Sequence, residues 1–127
     1  MRALATAKQR SILVTLVMLA LVGAAGMAAA QAGEEGVANF YSDKFQGKKM
    51  ASGELYDKDK LTASHKKLPL GTKVKVTNLE NDKSVVVTIN DRMAASNPAV
   101  IDVTRRAAEE LGFVKSGKTK VKLEVEK

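Results

Sequence analysis

The chain has no cysteine and no tryptophan, and it has one histidine and two prolines among its 127 residues. Without cysteine there is no disulfide, no thiol chemistry, and no sulfur through which a lipid can be attached. One histidine with scattered acids lacks the ligand spacing of a zinc site, so neither a metal nor a cofactor is expected. Ser64 adjoins His65 in sequence and no nucleophile-elbow motif is present, which argues against Ser/His/Asp catalysis. Aromatic residues make up only 4% of the chain. They do not interleave with a basic stripe, so nucleic acid is not an expected partner.

What is present begins with an export signal. Arg2, Lys8 and Arg10 form a positive start, Ser11 to Val22 a short apolar core, and Gly23 to Ala32 a small, mostly neutral stretch. Ala30-Gln31-Ala32 fits the A-x-A rule, which places cleavage before Gly33. An uncleaved anchor reaching to Ala30 is the alternative. After cleavage the chain has no stable membrane anchor and is expected to be a periplasmic or extracellular monomer. The net charge of +7 comes from 21 basic and 14 acidic residues. Loss of the three basic residues of the signal leaves 18 against 14, or +4. So mild an excess suits an anionic polymer such as cell wall, or simply a solubilising surface.

The remaining residues read as one small domain. Residues 33–36 are expected as a flexible lead-in and 37–127 as the folded domain. Val37 to Tyr41 reads as a strand. Ser42 to Gly53 reads as a polar loop, Leu55 to Lys60 as turn-like and Leu61 to His65 as a short strand. Thr72 to Thr77 alternates polar and apolar residues and Ser84 to Ile89 is β-branched, so the two form a hairpin across Asn78 to Lys83. Thr104 caps a helix that runs to Leu111 and is closed by Gly112. Lys120 to Glu126 alternates again, with Val121, Leu123 and Val125 inward. Short strands, one helix and Gly/Pro turns point to a mainly β fold, a small β-barrel.

Chemistry concentrates in three segments. They are Ala51-Ser52-Gly53-Glu54-Leu55-Tyr56-Asp57, then Thr62 to Thr72, which contains His65, then Val85 to Ile89 running into Asn90-Asp91-Arg92. On spacing alone Asp91 reads as the cap of a turn after a strand. His65 reads equally as a hydrogen-bonded barrel histidine or a site residue. Glu54 and Asp57 read as solvated loop acids, Tyr41 and Tyr56 as rim or core packing, and Asp102 as structural.

The ordered set of these segments resembles the rare lipoprotein A (RlpA)-like family. Its matching pieces include Leu68-Pro69-Leu70-Gly71-Thr72, Val76-Thr77-Asn78 and Val100-Ile101-Asp102. The resemblance implies a six-stranded double-psi β-barrel with one or two short helices. It also implies lytic transglycosylase activity on peptidoglycan glycan strands, with 1,6-anhydro-muramic ends as product. By the same resemblance Glu54, Asp57, His65 and Asp91 line the site, and Asp91 corresponds to the proposed catalytic acid. For that chemistry His65 is expected as a catalytic residue that hydrogen-bonds and orients Asp91 or contacts the sugar, Tyr41 and Tyr56 as rings that stack on sugar faces, and Arg92 as the partner of a substrate carboxylate or, equally, of Asp91.

The chain departs from the family in four ways: no lipid-attachment cysteine, no glycan-binding repeat domain after the barrel, Met93 to Pro98 where relatives continue with Gly-Pro, and Phe40-Tyr41 where many have Trp-Tyr. The last is expected to trim a sugar-stacking surface. These departures motivate the alternative of an expansin-like wall-binding module that does not cleave. A plain interaction or inhibitor barrel is a third reading.

Overall fold

The computed structural model describes residues 33–126, and the expected signal peptide lies outside them. Six strands follow in order: β1 (Glu34–Phe40), β2 (Thr62–His65), β3 (Lys73–Asn78), β4 (Ser84–Arg92), β5 (Ile101–Val103) and β6 (Lys118–Val125). One helix, α1 (Arg105–Leu111), lies between β5 and β6, and a 3₁₀ turn spans Asp43–Phe45. The strands close into a barrel in the order β1-β5-β2-β4-β3-β6. Two pairs are parallel, β1 with β5 and β2 with β4. Among the described residues closure leaves no free sheet edge, which a strand-rich domain of this size would otherwise have to protect.

Strict alternation builds the interior. Val74 and Val76 of β3, Val87 and Ile89 of β4, and Val121 of β6 are fully buried, while Lys73 and Lys75 between them are exposed. A period of two puts every second side chain on the same face, so the β-branched runs fill the barrel and the lysines solvate it. The expected hairpin is the β3–β4 pair, with Val74 opposite Val87 and Val76 opposite Val85. Its turn also closes the helix. Asn78 Nδ2 and Asn81 Nδ2 donate to the Leu111 carbonyl at 2.8 and 3.0 Å. That carbonyl is one of those a helix end leaves without a partner. At the other end of α1 the Thr104 hydroxyl accepts from the Ala107 N–H and itself donates to the Lys60 carbonyl.

Two expectations need correction. The lead-in is not flexible: β1 starts at Glu34, and Glu34–Gly36 pair with Val121–Leu123 of β6. A short polar run with glycine looks loose by itself, but the alternating β6 gives it a partner along its length. Gly36 is needed there for space, since a Cβ would come within 2.4 Å of Val100 Cγ1. Phe40 does not mark a lost sugar surface either. It packs against the core, edge-to-face with Phe113 at 5.8 Å, because its position in β1 points inward with Ala38.

Candidate functional site

The register of four neighbouring strands lines up a row of polar residues. Asn39 of β1 pairs with Asp102 of β5, Asp102 with Ser64 of β2, and Ser64 with Asp91 of β4. Their neighbours Ala38, Ile101, Val103 and Ala63 are buried in the core. Alternation therefore sends the polar row to the outer face. The pairing shifts between Ala63 and Ser64, so that Ala63 lies opposite Ile89 but Ser64 opposite Asp91, with Asn90 as the extra residue. Bulges of this kind re-aim a side chain at the end of a strand. Here the bulge brings Asp91 into the row.

The loop after β1 folds back over this row. Tyr41 Oη donates to Asp91 Oδ2 at 2.5 Å, and the Ala51 N–H donates to Asp91 Oδ1 at 2.9 Å. The Ser52 N–H reaches the Asn90 carbonyl at 3.0 Å. The 50–54 turn is thus pinned to the end of β4, and Gly53 at φ +93° supplies a backbone conformation that other residues resist. Burial, more than the hydrogen bond to Asp91, pushes the Tyr41 phenol far above its ordinary range. Tyr41 therefore remains a donor at any physiological pH. Its ring stacks on Tyr56 at 4.7 Å and meets Phe45 edge-on at 5.6 Å.

Tyr56 is only 2% exposed. Its hydroxyl accepts from the Arg105 N–H at 3.3 Å, and its backbone bonds to Gly47 and Lys48. Packed against Tyr41, the ring supports it, and Tyr56 also borders an open groove. Burial raises its phenol as well.

His65 is drawn elsewhere. It is 5% exposed. Its Nδ1 accepts from the Lys67 and Leu68 N–H groups at 3.0 and 3.1 Å. The proton is thereby assigned to Nε2, which donates to Glu34 Oε1 at 2.9 Å. Both ring nitrogens are used, and neither bonds to Asp91. The His65 carbonyl accepts from Arg92 Nη1 at 2.9 Å and from the Met93 N–H at 3.3 Å. His65 thus holds the turn before Pro69 and the start of the loop after β4. Glu34, its partner, stands in the segment that sequence reading took for a lead-in.

Glu54 and Asp57 line an open groove of about 450 Å³ together with Gln46, Leu55, Tyr56 and Lys60. Glu54 is exposed and, among the described residues, its carboxylate accepts only from the Ser52 hydroxyl, at 3.2 Å. Asp57 accepts from the Asp59 N–H at 3.0 Å. The structure therefore joins Asp91 with Tyr41 and Tyr56, and Glu54 with Asp57. Asp102 is the member that sequence reading set aside. It is partly buried, its Oδ1 has no hydrogen-bond partner among the described residues, and burial followed by the Asp91 charge pushes its carboxyl upward. The available signal was a lone acid between Ile101 and Val103, which alternation places outside the core. Among the described residues no His/Cys/Asp/Glu group is arranged to hold a metal ion.

The closed six-stranded barrel, with β1–β5 and β2–β4 parallel and the other pairs antiparallel, is a double-psi β-barrel. The chain belongs to the lytic transglycolase family, whose model matches residues 33–123. It is 50% identical over 94 residues to the endolytic peptidoglycan transglycosylase RlpA of Rickettsia bellii, covering 72% of this chain and 41% of that one. It is 46% identical over 91 residues to the protein of the same name from Pasteurella multocida, covering 72% and 31%. The chain thus spans less than half the length of these relatives. Among solved structures it resembles the Streptomyces papain inhibitor, with TM-score 0.59, 18% identity and coverage of 76% and 97%. It also resembles a Clavibacter michiganensis expansin determined with cellohexaose, with TM-score 0.60, 15% identity and coverage of 75% and 50%. At those identities the likeness concerns the fold alone.

Proposed function

We propose that this chain is an exported lytic transglycosylase that cuts peptidoglycan glycan strands without water, leaving 1,6-anhydro-muramic ends. The observation that carries the reading is Asp91, held at the end of β4 by Tyr41 and by the N–H of Ala51, in the turn that leads to the groove residues Glu54 and Asp57. A carboxyl group fixed on a rigid strand suits proton transfer, which depends on placement within hydrogen-bond reach of the reacting atom. In this reaction the 6-hydroxyl of a muramic residue attacks its own anomeric carbon, and Asp91 is the acid/base group that serves it. The relatives named as peptidoglycan transglycosylases support the substrate class. Arg92 is exposed, one nitrogen donates to the His65 carbonyl, and its other nitrogens, which have no partner among the described residues, would meet a substrate carboxylate. Glu54 and Asp57 would contact the strand from the groove. His65 would act by holding the 65–68 turn and Arg92 in place. Cleavage before Gly33, directly ahead of β1, would release the domain outside the cytoplasmic membrane.

The test uses residues 33–127, a compact unit of their own. Purified protein is incubated with glycan strands stripped of stem peptides, and products are read by mass spectrometry. Anhydro-muramic ends are the expected result. Co-sedimentation with peptidoglycan and no such ends would establish the wall-binding alternative instead. Failure to co-sediment and to cut would remove both.

A further inference from the structure

The lyase reading leaves one proton unassigned. The leaving oxygen must receive a proton while the attacking 6-hydroxyl loses one. Asp91 meets two donors, one at each oxygen, which is the arrangement of a carboxylate accepting on both sides. With a donor at each oxygen, Asp91 is arranged to accept hydrogen bonds and not to present a proton to the leaving oxygen. Two positions along the polar row, past Ser64, stands a second carboxyl group in the opposite condition. Asp102 Oδ1 is buried and has no donor among the described residues. A charged oxygen in that position lacks both water and a partner, and that favours the protonated form.

Resting on the lyase reading, we propose that Asp102 is a second catalytic residue, the one that protonates the leaving glycosidic oxygen, while Asp91 receives the proton of the attacking hydroxyl. As the bond from the anomeric carbon to the glycosidic oxygen breaks, its electron pair stays on that oxygen and takes the Asp102 proton. The O6 oxygen of the same muramic residue forms the new bond to the anomeric carbon and gives its proton to Asp91. Exchange with water then returns a proton from Asp91 to Asp102, and no water enters the products. The upward push on Asp102, from burial first and from the Asp91 charge second, is consistent with this division. Two carboxyl groups set in unlike surroundings, one hydrogen-bonded at both oxygens and one partly buried, are the general pattern of an acid and a base sharing one site.

Leaving-group dependence tests it. Asp102→Asn and Asp91→Asn are compared on glycan strands and on a disaccharide whose muramic residue carries an activated aryl leaving group. Such a phenol departs without needing a proton. On strands both variants are expected to lose roughly 10²–10⁴-fold in anhydro product formation. On the aryl substrate Asp102→Asn should recover most of that loss and Asp91→Asn should not. Equal losses of Asp102→Asn on both substrates would make Asp102 structural and overturn the proposal. Full activity of Asp102→Asn on strands would overturn it alone, leaving the lyase reading standing. A wild-type chain without product on either substrate would overturn both. A carboxyl ¹³C titration of the wild type needs no variant: Asp102 should take up its proton at higher pH than a free aspartate, and a titration at or below that of free aspartate would overturn the assignment.

Discussion

Asp91 and Glu54 lie on two sides of one turn, yet the protein holds them in different ways. Asp91 is bound by residues 50 and 40 positions away, Tyr41 and Ala51. Glu54 is bound by Ser52, two residues back in its own turn. The first arrangement exists only when the barrel has closed and the loop after β1 has folded over β4. The second is local to the turn. The difference separates two tasks: proton transfer needs placement within a few tenths of an ångström, and contact with a long polymer tolerates adjustment. On the barrel side the structure invests long-range hydrogen bonds and aromatic stacking. On the groove side it places charge on exposed turns.

The sharpest way to break this comparison is to remove the proton chemistry from the barrel side. Asp91→Asn should lower the rate of anhydro product formation by about 10²–10⁴-fold. One face of the new amide must present hydrogens to a donor, at a cost of about 1–3 kcal/mol in stability. Activity and thermal unfolding measured on the same sample separate the two effects. A loss no larger than that of a groove variant would put the two regions on one footing.

Tyr41→Phe comes next. It keeps the ring against Tyr56 and Phe45 and removes only the hydroxyl. Hydrogen bonds to charged groups are worth about 1.5–3 kcal/mol, which corresponds to roughly a 10–100-fold loss if Asp91 must be held during the reaction. Burial keeps the phenol protonated far beyond neutral pH. The ratio of variant to wild-type rates should therefore be flat from neutral to mildly alkaline pH, and a ratio that changes there would mean Tyr41 itself titrates in the reaction.

On the groove side Glu54→Gln and Asp57→Asn should raise KM and leave kcat within about a factor of two, the signature of contacts made equally in ground and transition states. Stability should stay within about 0.5 kcal/mol, because the side chains are exposed or bonded only within their turns. A fall in kcat comparable to that of Tyr41→Phe would move these acids into the proton-transfer machinery.

The two regions were also unequally legible in the sequence. The hairpin, the Thr104–Gly112 helix and the inward residues of β6 follow from periodicity and capping, which are local. Asp91 was legible as an acid at a strand end. Its partners were not, since Tyr41 and Ala51 meet it only through closure of a barrel whose strand order is far from sequence order. The same holds for Glu34 and His65, 31 residues apart, and for Tyr56, which sequence reading offered to a sugar and the fold packs beneath Tyr41. Asp102 shows the limit most clearly. Its alternation with Ile101 and Val103 was readable, but its neighbours Ser64 and Asp91 come from β2 and β4 through a bulge that no local pattern announces.

Asp102 supplies the smallest effect, and one that separates its own surroundings from those of both other acids. Its carboxyl is raised in the folded chain above the ordinary value of 3.8. Folding therefore binds its proton more tightly than the unfolded chain does. The stabilisation this brings is fully present below pH 3.8 and is lost as pH rises through the raised folded value. Above that window the wild type carries a poorly solvated charge facing Asp91. Asn at this position cannot titrate, so the stability of Asp102→Asn relative to wild type should climb as pH rises from 3.8 through the raised folded value and then level off. Thermal unfolding of both proteins at stepped pH measures it. A flat difference for Asp102→Asn would mean that its carboxyl finds solvent or a partner after all, and the contrast between the barrel side and the groove side would then rest on Asp91 and Tyr41 alone.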